Sequence, residues 1–259
     1  MRQTFTTAIV RPPSVNFASG LTTIGLGTPD FQLARQQHEA YCRALENCGL
    51  SLTRLETDPR YPDSTFVEDT AVLTERGAIV TRPGALSRRG ETEAIKDALR
   101  PRYSSFQEIR EPGTVDGGDV CEAAGHFLIG ISRRTNEAGA GQLAACLKAF
   151  GYPSTLVDIR NLSSILHLKS GLAYLGGKRM LVIEEFRELQ QLSGYELIAI
   201  DKAEAYAANC LSVNDRLLVA AGFPGLQRDL QGLGCETVPL EMSEFQKMDG
   251  GLSCLSLRL

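Results

Sequence analysis

Gly118-Asp119-Val120-Cys121-Glu122 and Phe127-Leu128-Ile129-Gly130-Ile131 read as two short strands joined by a turn. Thr135 or Asn136 then opens a helix with Leu143, Cys146, Leu147 and Phe150 apolar, and Gly151 followed by Pro153 stops it. Ser154 to Val157 adds one more short strand. The local unit is strand, strand, helix, strand.

Working outward, the same unit recurs. Paired extended runs fall at Phe66 to Leu73 with Ala78 to Arg82, at Gly171 to Leu175 with Met180 to Ile183, and at Leu211 to Val213 with Leu217 to Ala220. Single-faced helices are predicted after Pro29-Asp30, ending at Gly49, from near Glu91 to before Pro101, and from Pro224 to Gly234. The period is roughly 40 to 50 residues, in the range of propellers and arrays. A fifth pair needs both chain ends, because Cys254 to Leu259 has no following strand and Thr6 to Arg11 no preceding one. Their pairing closes a five-bladed α/β ring of ββαβ repeats, and residues 1–259 are expected to form one catalytic domain.

Such a ring brings the start of each hairpin's first strand to a common axis. The residues there are Glu68 and Asp69, Asp116 and Asp119, His167, Asn209, and Cys254.

Composition narrows the partner. A chain of 259 residues, 43% hydrophobic and 22% charged, can bury a substantial core. A net charge of -4 with no long block of like charge offers nothing to nucleic acid. The start, Met1-Arg2-Gln3-Thr4-Phe5, leads to a short apolar run ended by Pro12-Pro13, too brief for a signal segment or membrane span. A cytoplasmic protein with a small-molecule partner is expected, and a homodimer is an open expectation. The seven cysteines show no C-x-x-C spacing, which argues against disulfides or structural zinc; no metal or other cofactor is expected.

The axial set suits a guanidinium substrate. The guanidinium carbon is a poor electrophile because its positive charge is delocalised, so attack needs a soft, strong nucleophile such as a thiolate. Cys254 follows Met248-Asp249-Gly250-Gly251, where two glycines allow close backbone approach to a ligand. Loss of an amine needs a general acid. Of the three histidines, His38 in a polar helical stretch and His126 in a turn read as solvated, leaving His167. Carboxylates pair naturally with a guanidinium, and Asp63, Glu68 and Asp69 cluster in one segment. One acid of Asp116-Gly117-Gly118-Asp119 can orient His167. For a substrate carboxylate the cations are Arg88 or Arg89, and Arg133 or Arg134, standing just before two helices. Asn16 to Gly27, glycine-rich around Leu21, reads as a mobile loop able to act as a lid.

Taken together, Phe66-Val67-Glu68-Asp69, Thr81-Arg82-Pro83-Gly84, Ser87-Arg88-Arg89-Gly90-Glu91, Arg134-Thr135-Asn136, His167-Leu168-Lys169 and Gly250 to Cys254 closely resemble dimethylarginine dimethylaminohydrolase. That family belongs to the guanidino-group-modifying pentein superfamily, whose fold is a five-bladed α/β propeller. The resemblance spans essentially the whole chain. It implies Cys254 as nucleophile, His167 as proton donor, and Asp63, Glu68 and Asp69 at the guanidinium. It also implies Arg88 and Arg134 at the α-carboxylate, and Leu21 with the Met248 backbone at the amino acid end. Some bacterial relatives carry glutamate where Asp116 stands, one methylene longer. The implied reaction converts mono- or asymmetrically dimethylated arginine to citrulline and methylamine or dimethylamine, through a covalent thiouronium intermediate. A bound substrate cation is expected to lower the Cys254 pKa.

Arginine deiminase shares the nucleophile, the histidine and the first acid cluster, but has a second carboxylate two residues after the histidine, where Lys169 stands. An acid facing a dimethylated nitrogen would be left unpaired, so Lys169 favours a methylated substrate. An amidinotransferase would pass the same intermediate to an amine. A non-catalytic propeller binder would need neither Cys254 nor His167.

Overall fold

A computed structural model describes residues 4–259; Met1, Arg2 and Gln3, the first residues of the N-terminal run, lie outside the described residues. Strand β1 (Thr7–Val10) leads to helix α1 (Phe31–Asn47), which Asp30 caps by accepting from the Leu33 amide at 2.8 Å, and β2 (Ser51–Arg54) follows. The next blade holds β3 (Ala71–Thr74), β4 (Gly77–Val80), α2 (Thr92–Leu99) and β5 (Phe106–Glu108). The following blade holds β6 (Val120–Ala123), β7 (His126–Ile131), α3 (Glu137–Ala149) and β8 (Ser154–Asp158), with Asn136 as the cap. Then come β9 (Leu172–Gly176), β10 (Arg179–Val182) and β11 (Glu196–Ala199), and after them β12 (Leu211–Val213), β13 (Arg216–Ala220), α4 (Pro224–Gly232) and β14 (Glu236–Leu240). A one-turn helix α5 (Ser243–Gln246), absent from the sequence reading, precedes the last strand β15 (Leu257–Arg258).

The strands form five separate three-stranded sheets with one topology. In each, the first strand runs antiparallel to the second and the third runs parallel to it. The fifth sheet has the order β15-β1-β2, with Ala8 opposite Arg258 and Ile9 opposite Leu257. The chain ends close the ring, giving a five-bladed α/β propeller. Helix α1 seats the closing blade: Tyr41 and Leu45 are fully buried in the same core as Val10 and Phe245. Burying one such side chain contributes about 1.5–3 kcal/mol.

Two features depart from the repeat expected from sequence. Between β10 and β11 there is no α-helix, only 3-10 turns at Glu184–Phe186 and Gln190–Leu192. Phe186, Leu189 and Leu192 are apolar at every third position, the 3-10 period and not the α period. The first strand also starts later than predicted in every blade but the one that holds β12, which runs over Leu211–Val213 as expected. In every blade a 3-10 turn precedes it, at Val67–Thr70, Gly117–Asp119, Leu168–Ser170, Lys202–Ala208 and Ser253–Leu255. These turns and their cap residues, not the strands, carry the axial residues: Glu68, Asp69, Asp119 and Cys254 lie within them, and Asp116, His167 and Asn209 cap them.

Candidate active site

The turn Val67–Thr70 packs against both Ser253–Leu255 and Gly117–Asp119, and the latter packs against Leu168–Ser170. Residues as far apart in sequence as Glu68 and Cys254 thereby share one centre. Gly117 and Gly118 permit the packing. A Cβ on Gly118 would stand 2.7 Å from His167 Nδ1 and 3.0 Å from Asp69 Oδ1. Gly250 and Gly251 also serve the packing: a side chain at either would run into the Phe66 ring or into Asn209. They let the turn before Cys254 sit tightly on its neighbours.

His167 is buried, and its Nε2 lies 3.1 Å from Asp116 Oδ2. The shorter side chain of aspartate thus reaches the imidazole. The other Asp116 oxygen accepts from the Gly84 amide at 2.8 Å, which fixes the carboxylate's direction. Burial opposes a charge on His167, but Asp69, Asp119 and Asp116 together hold the imidazolium up to about 9. The other two histidines stand apart. His38 is not solvated as its polar surroundings suggested; it is buried beside Cys42 Sγ at 3.6 Å, and burial pushes it down to about 4. His126 Nε2 pairs with Thr155 Oγ1 at 2.9 Å.

Asp69 and Glu68 point to different partners. Asp69 Oδ2 accepts from Arg88 Nη1 at 2.6 Å, and Oδ1 accepts from the Gly118 amide at 2.9 Å. Burial would raise its pKa, yet the positive His167 and Arg88 hold the carboxyl down at about 2. Glu68 Oε1 pairs with Lys169 Nζ at 2.6 Å and Oε2 accepts from Ser253 Oγ at 2.7 Å. Asn209 joins this side by donating to Lys169 O and accepting from the Ser253 amide.

Cys254 is half-buried, and the Gly251 amide donates to its Sγ at 3.4 Å. Burial and the negative Glu68 and Asp69 push the thiol up to about 12. In the free protein the thiol is therefore protonated at neutral pH. Carboxylates outnumber cations around it, so a cation entering the site would relieve their repulsion and favour the thiolate.

The two arginines are unlike. Arg88 is buried, donating to Asp69, to both oxygens of Glu91 and to the carbonyls of Phe66 and Asp63. The Arg134 side chain is half-buried and has no hydrogen bond or ion pair among the described residues. Asp63 faces the loop above: its oxygens accept from the Leu21 amide at 3.0 and 3.2 Å, and burial raises its pKa. Thr22 Oγ1 donates to Lys247 O and Thr23 N to Asp249 Oδ2, so the loop lies over the segment that contains Met248.

Glu68, Asp69, Asp116, His167, Cys254 and Arg88 meet at this centre, with Leu21, Asp63 and Met248 at the loop over it; the charge of Arg134 acts on Asp63, whereas Arg133 is exposed and Arg89 donates to Pro83 O. Sequence reasoning passed over Glu91, Ser253 and the Lys169–Glu68 pair. Glu91 was detectable, since it stands three residues after Arg88 in one turn, whereas Lys169–Glu68 needs the closed ring. Among the described residues, Asp69, Asp116 and His167 are the one grouping placed to hold a metal ion, with donor atoms within 4.8 Å of one another. Their carboxylates are already satisfied by Arg88, Gly118, Gly84 and His167. No helix among the described residues is long and apolar enough to cross a membrane.

The family model described as arginine deiminase matches residues 36–209. A dimethylarginine dimethylaminohydrolase of Pseudomonas aeruginosa is 44% identical over 251 residues, 96% of this chain and 98% of the relative. One of Streptomyces coelicolor is 36% identical, over 97% of this chain and 96% of its own. The solved structure of the Pseudomonas enzyme, a cysteine-to-serine variant complexed with citrulline, superposes with a TM-score of 0.96 at 43% identity, covering 99% of this chain and all of that one. With identity and fold matched over nearly its full length, the chain belongs to the dimethylarginine dimethylaminohydrolase family.

Proposed function

We propose that this protein hydrolyses Nω-methylated arginine, mono- or asymmetrically dimethylated, to citrulline and the corresponding amine, within a single catalytic domain. The observation that carries the reading is the packing of the Glu68–Asp69 turn against both the turn of Cys254 and the turn that Asp116 caps, with Asp116 holding His167. Glu68, Asp69 and Asp63 receive the guanidinium end. Arg134, with its unpaired guanidinium, takes the α-carboxylate, aided by the one Nη1 hydrogen that Arg88 keeps free. Leu21 and the Met248 backbone enclose the amino acid end.

The substrate's positive charge lowers the Cys254 pKa, and the thiolate attacks the guanidinium carbon. The new C–S bond forms as the bond to the methylated nitrogen breaks, and His167 gives its proton to the departing amine. Water, deprotonated by His167, then adds to the thiouronium carbon, and the thiolate leaves citrulline behind. Lys169 supports the choice of substrate, because it occupies Glu68 from a position where a deiminase has a further acid. All seven cysteines are free thiols, which suits a reducing cytoplasm.

The test is to incubate the protein separately with methylarginines, arginine and agmatine and to measure citrulline or carbamoylputrescine. Faster turnover of a methylarginine is expected. Arginine turned over well above every methylarginine would overturn the choice of substrate.

A further inference from the structure

Asp119 is fully buried, and both oxygens of its carboxylate are in use. Oδ1 accepts from the Leu168 amide at 2.9 Å, the residue next to His167. Oδ2 accepts from Ser132 Oγ at 2.6 Å and from Thr135 Oγ1 at 2.7 Å. Both hydroxyls have a second task. Ser132 Oγ accepts from the Arg134 amide at 2.9 Å, and Thr135 Oγ1 accepts from the Asp116 amide at 3.1 Å. With their acceptor sides engaged, both hydroxyls aim their hydrogens at Asp119. Only a carboxylate accepts on both sides at once.

We propose that Asp119 is a positioning residue for the reaction: its carboxylate ties the segment of His167 to the backbone of Asp116 and to the loop of Arg134. The general acid, the group that orients it and the cation for the substrate's carboxylate are thereby held in one frame. Gly130 leaves the room this needs, since a Cβ there would come within 3.0 Å of Asp119 Oδ1 and of the Leu168 side chain. Burial pushes the Asp119 carboxyl up to about 6, so at neutral pH it is ionised and accepts from all three donors. The inference rests on the roles proposed above for His167 and Arg134.

The test replaces Asp119 by Asn, which keeps the shape and removes the charge and one acceptor. Expected are a fall in kcat of about 100-fold from misplacement of the acid, together with a rise in KM from misplacement of Arg134. In the free protein the His167 imidazole, followed by NMR, should titrate at least about one unit lower, because Asp69, Asp116 and Arg88 then remain as its charged surroundings. That titration needs no substrate, so it separates failure of this inference from failure of the assigned activity. A folded Asp119→Asn protein with unchanged kcat and an unmoved His167 titration would overturn the proposal. Should that variant not fold, Thr135→Val and Thr135→Ser decide the matter. Val should lose activity and Ser, which keeps the hydroxyl, should restore it; equal activity in both would overturn the proposal.

Discussion

Glu68 and Asp69 are neighbours in one 3-10 turn, yet they belong to opposite halves of the site. Glu68 faces the nucleophile: Lys169 and Ser253 hold it, and Ser253 is next to Cys254. Asp69 faces the acid: Arg88 and the Gly118 amide hold it, and its charge acts on His167. The two halves differ in wiring. The Asp69 half is buried and backed by the Arg88–Glu91 pair, whereas the Glu68 half leans on Lys169, whose side chain is 16% exposed. On the proposed reading, the turn thus divides the site into a half that supports the acid His167 and a half beside the Cys254 thiol.

Breaking the nucleophile should have the largest effect. Cys254→Ser is expected to lower kcat by about 1,000-fold or more with the fold intact, checked by citrulline assay and circular dichroism. Asp69→Asn should come next. It leaves Arg88 buried with Glu91 alone, at a cost of about 3 kcal/mol in denaturant unfolding. It should also move the His167 titration. His167 is held up to about 9 from an ordinary 6.5, so the imidazolium is complete at neutral pH and is lost as pH rises through 9. In the free protein the His167 imidazolium, followed by NMR, should therefore be lost above about pH 9, and in Asp69→Asn the loss should begin at lower pH.

The division between halves was only partly legible in the sequence. The ring itself was readable, because hairpin pairs, capped helices such as the one after Asp30 and the two unpaired terminal runs are local signals. The 3-10 turns were not, since Val67–Thr70 and Gly117–Asp119 have no periodicity to distinguish them from strand starts. Placing Glu68, Asp69, His167 and Cys254 together followed from the ring, but the split between Glu68 and Asp69 did not. It depends on side-chain partners such as Lys169, 101 positions from Glu68 in sequence, that only the closed ring supplies. His38 shows the opposite error: polar neighbours along the helix hid a buried face shared with Tyr41, Cys42 and Leu45.

Smaller effects sharpen the comparison. Arg134→Ala should raise KM about 30-fold, near 2 kcal/mol, and leave kcat nearly unchanged, since only substrate binding is removed. Lys169→Met should lower kcat about tenfold. It removes the nearer cation from Glu68 and leaves Arg258 at 3.5 Å, so the carboxylate acts more strongly on Cys254 and alkylation of the thiol by iodoacetamide should need higher pH than in the parent protein.

The covalent step is the most direct test of all. Rapid acid quenching during turnover of asymmetric dimethylarginine, followed by peptide mass spectrometry, should find the thiouronium adduct on the peptide that contains Cys254. An adduct on another cysteine, or steady turnover with no adduct on Cys254 at any quench time, would contradict the account.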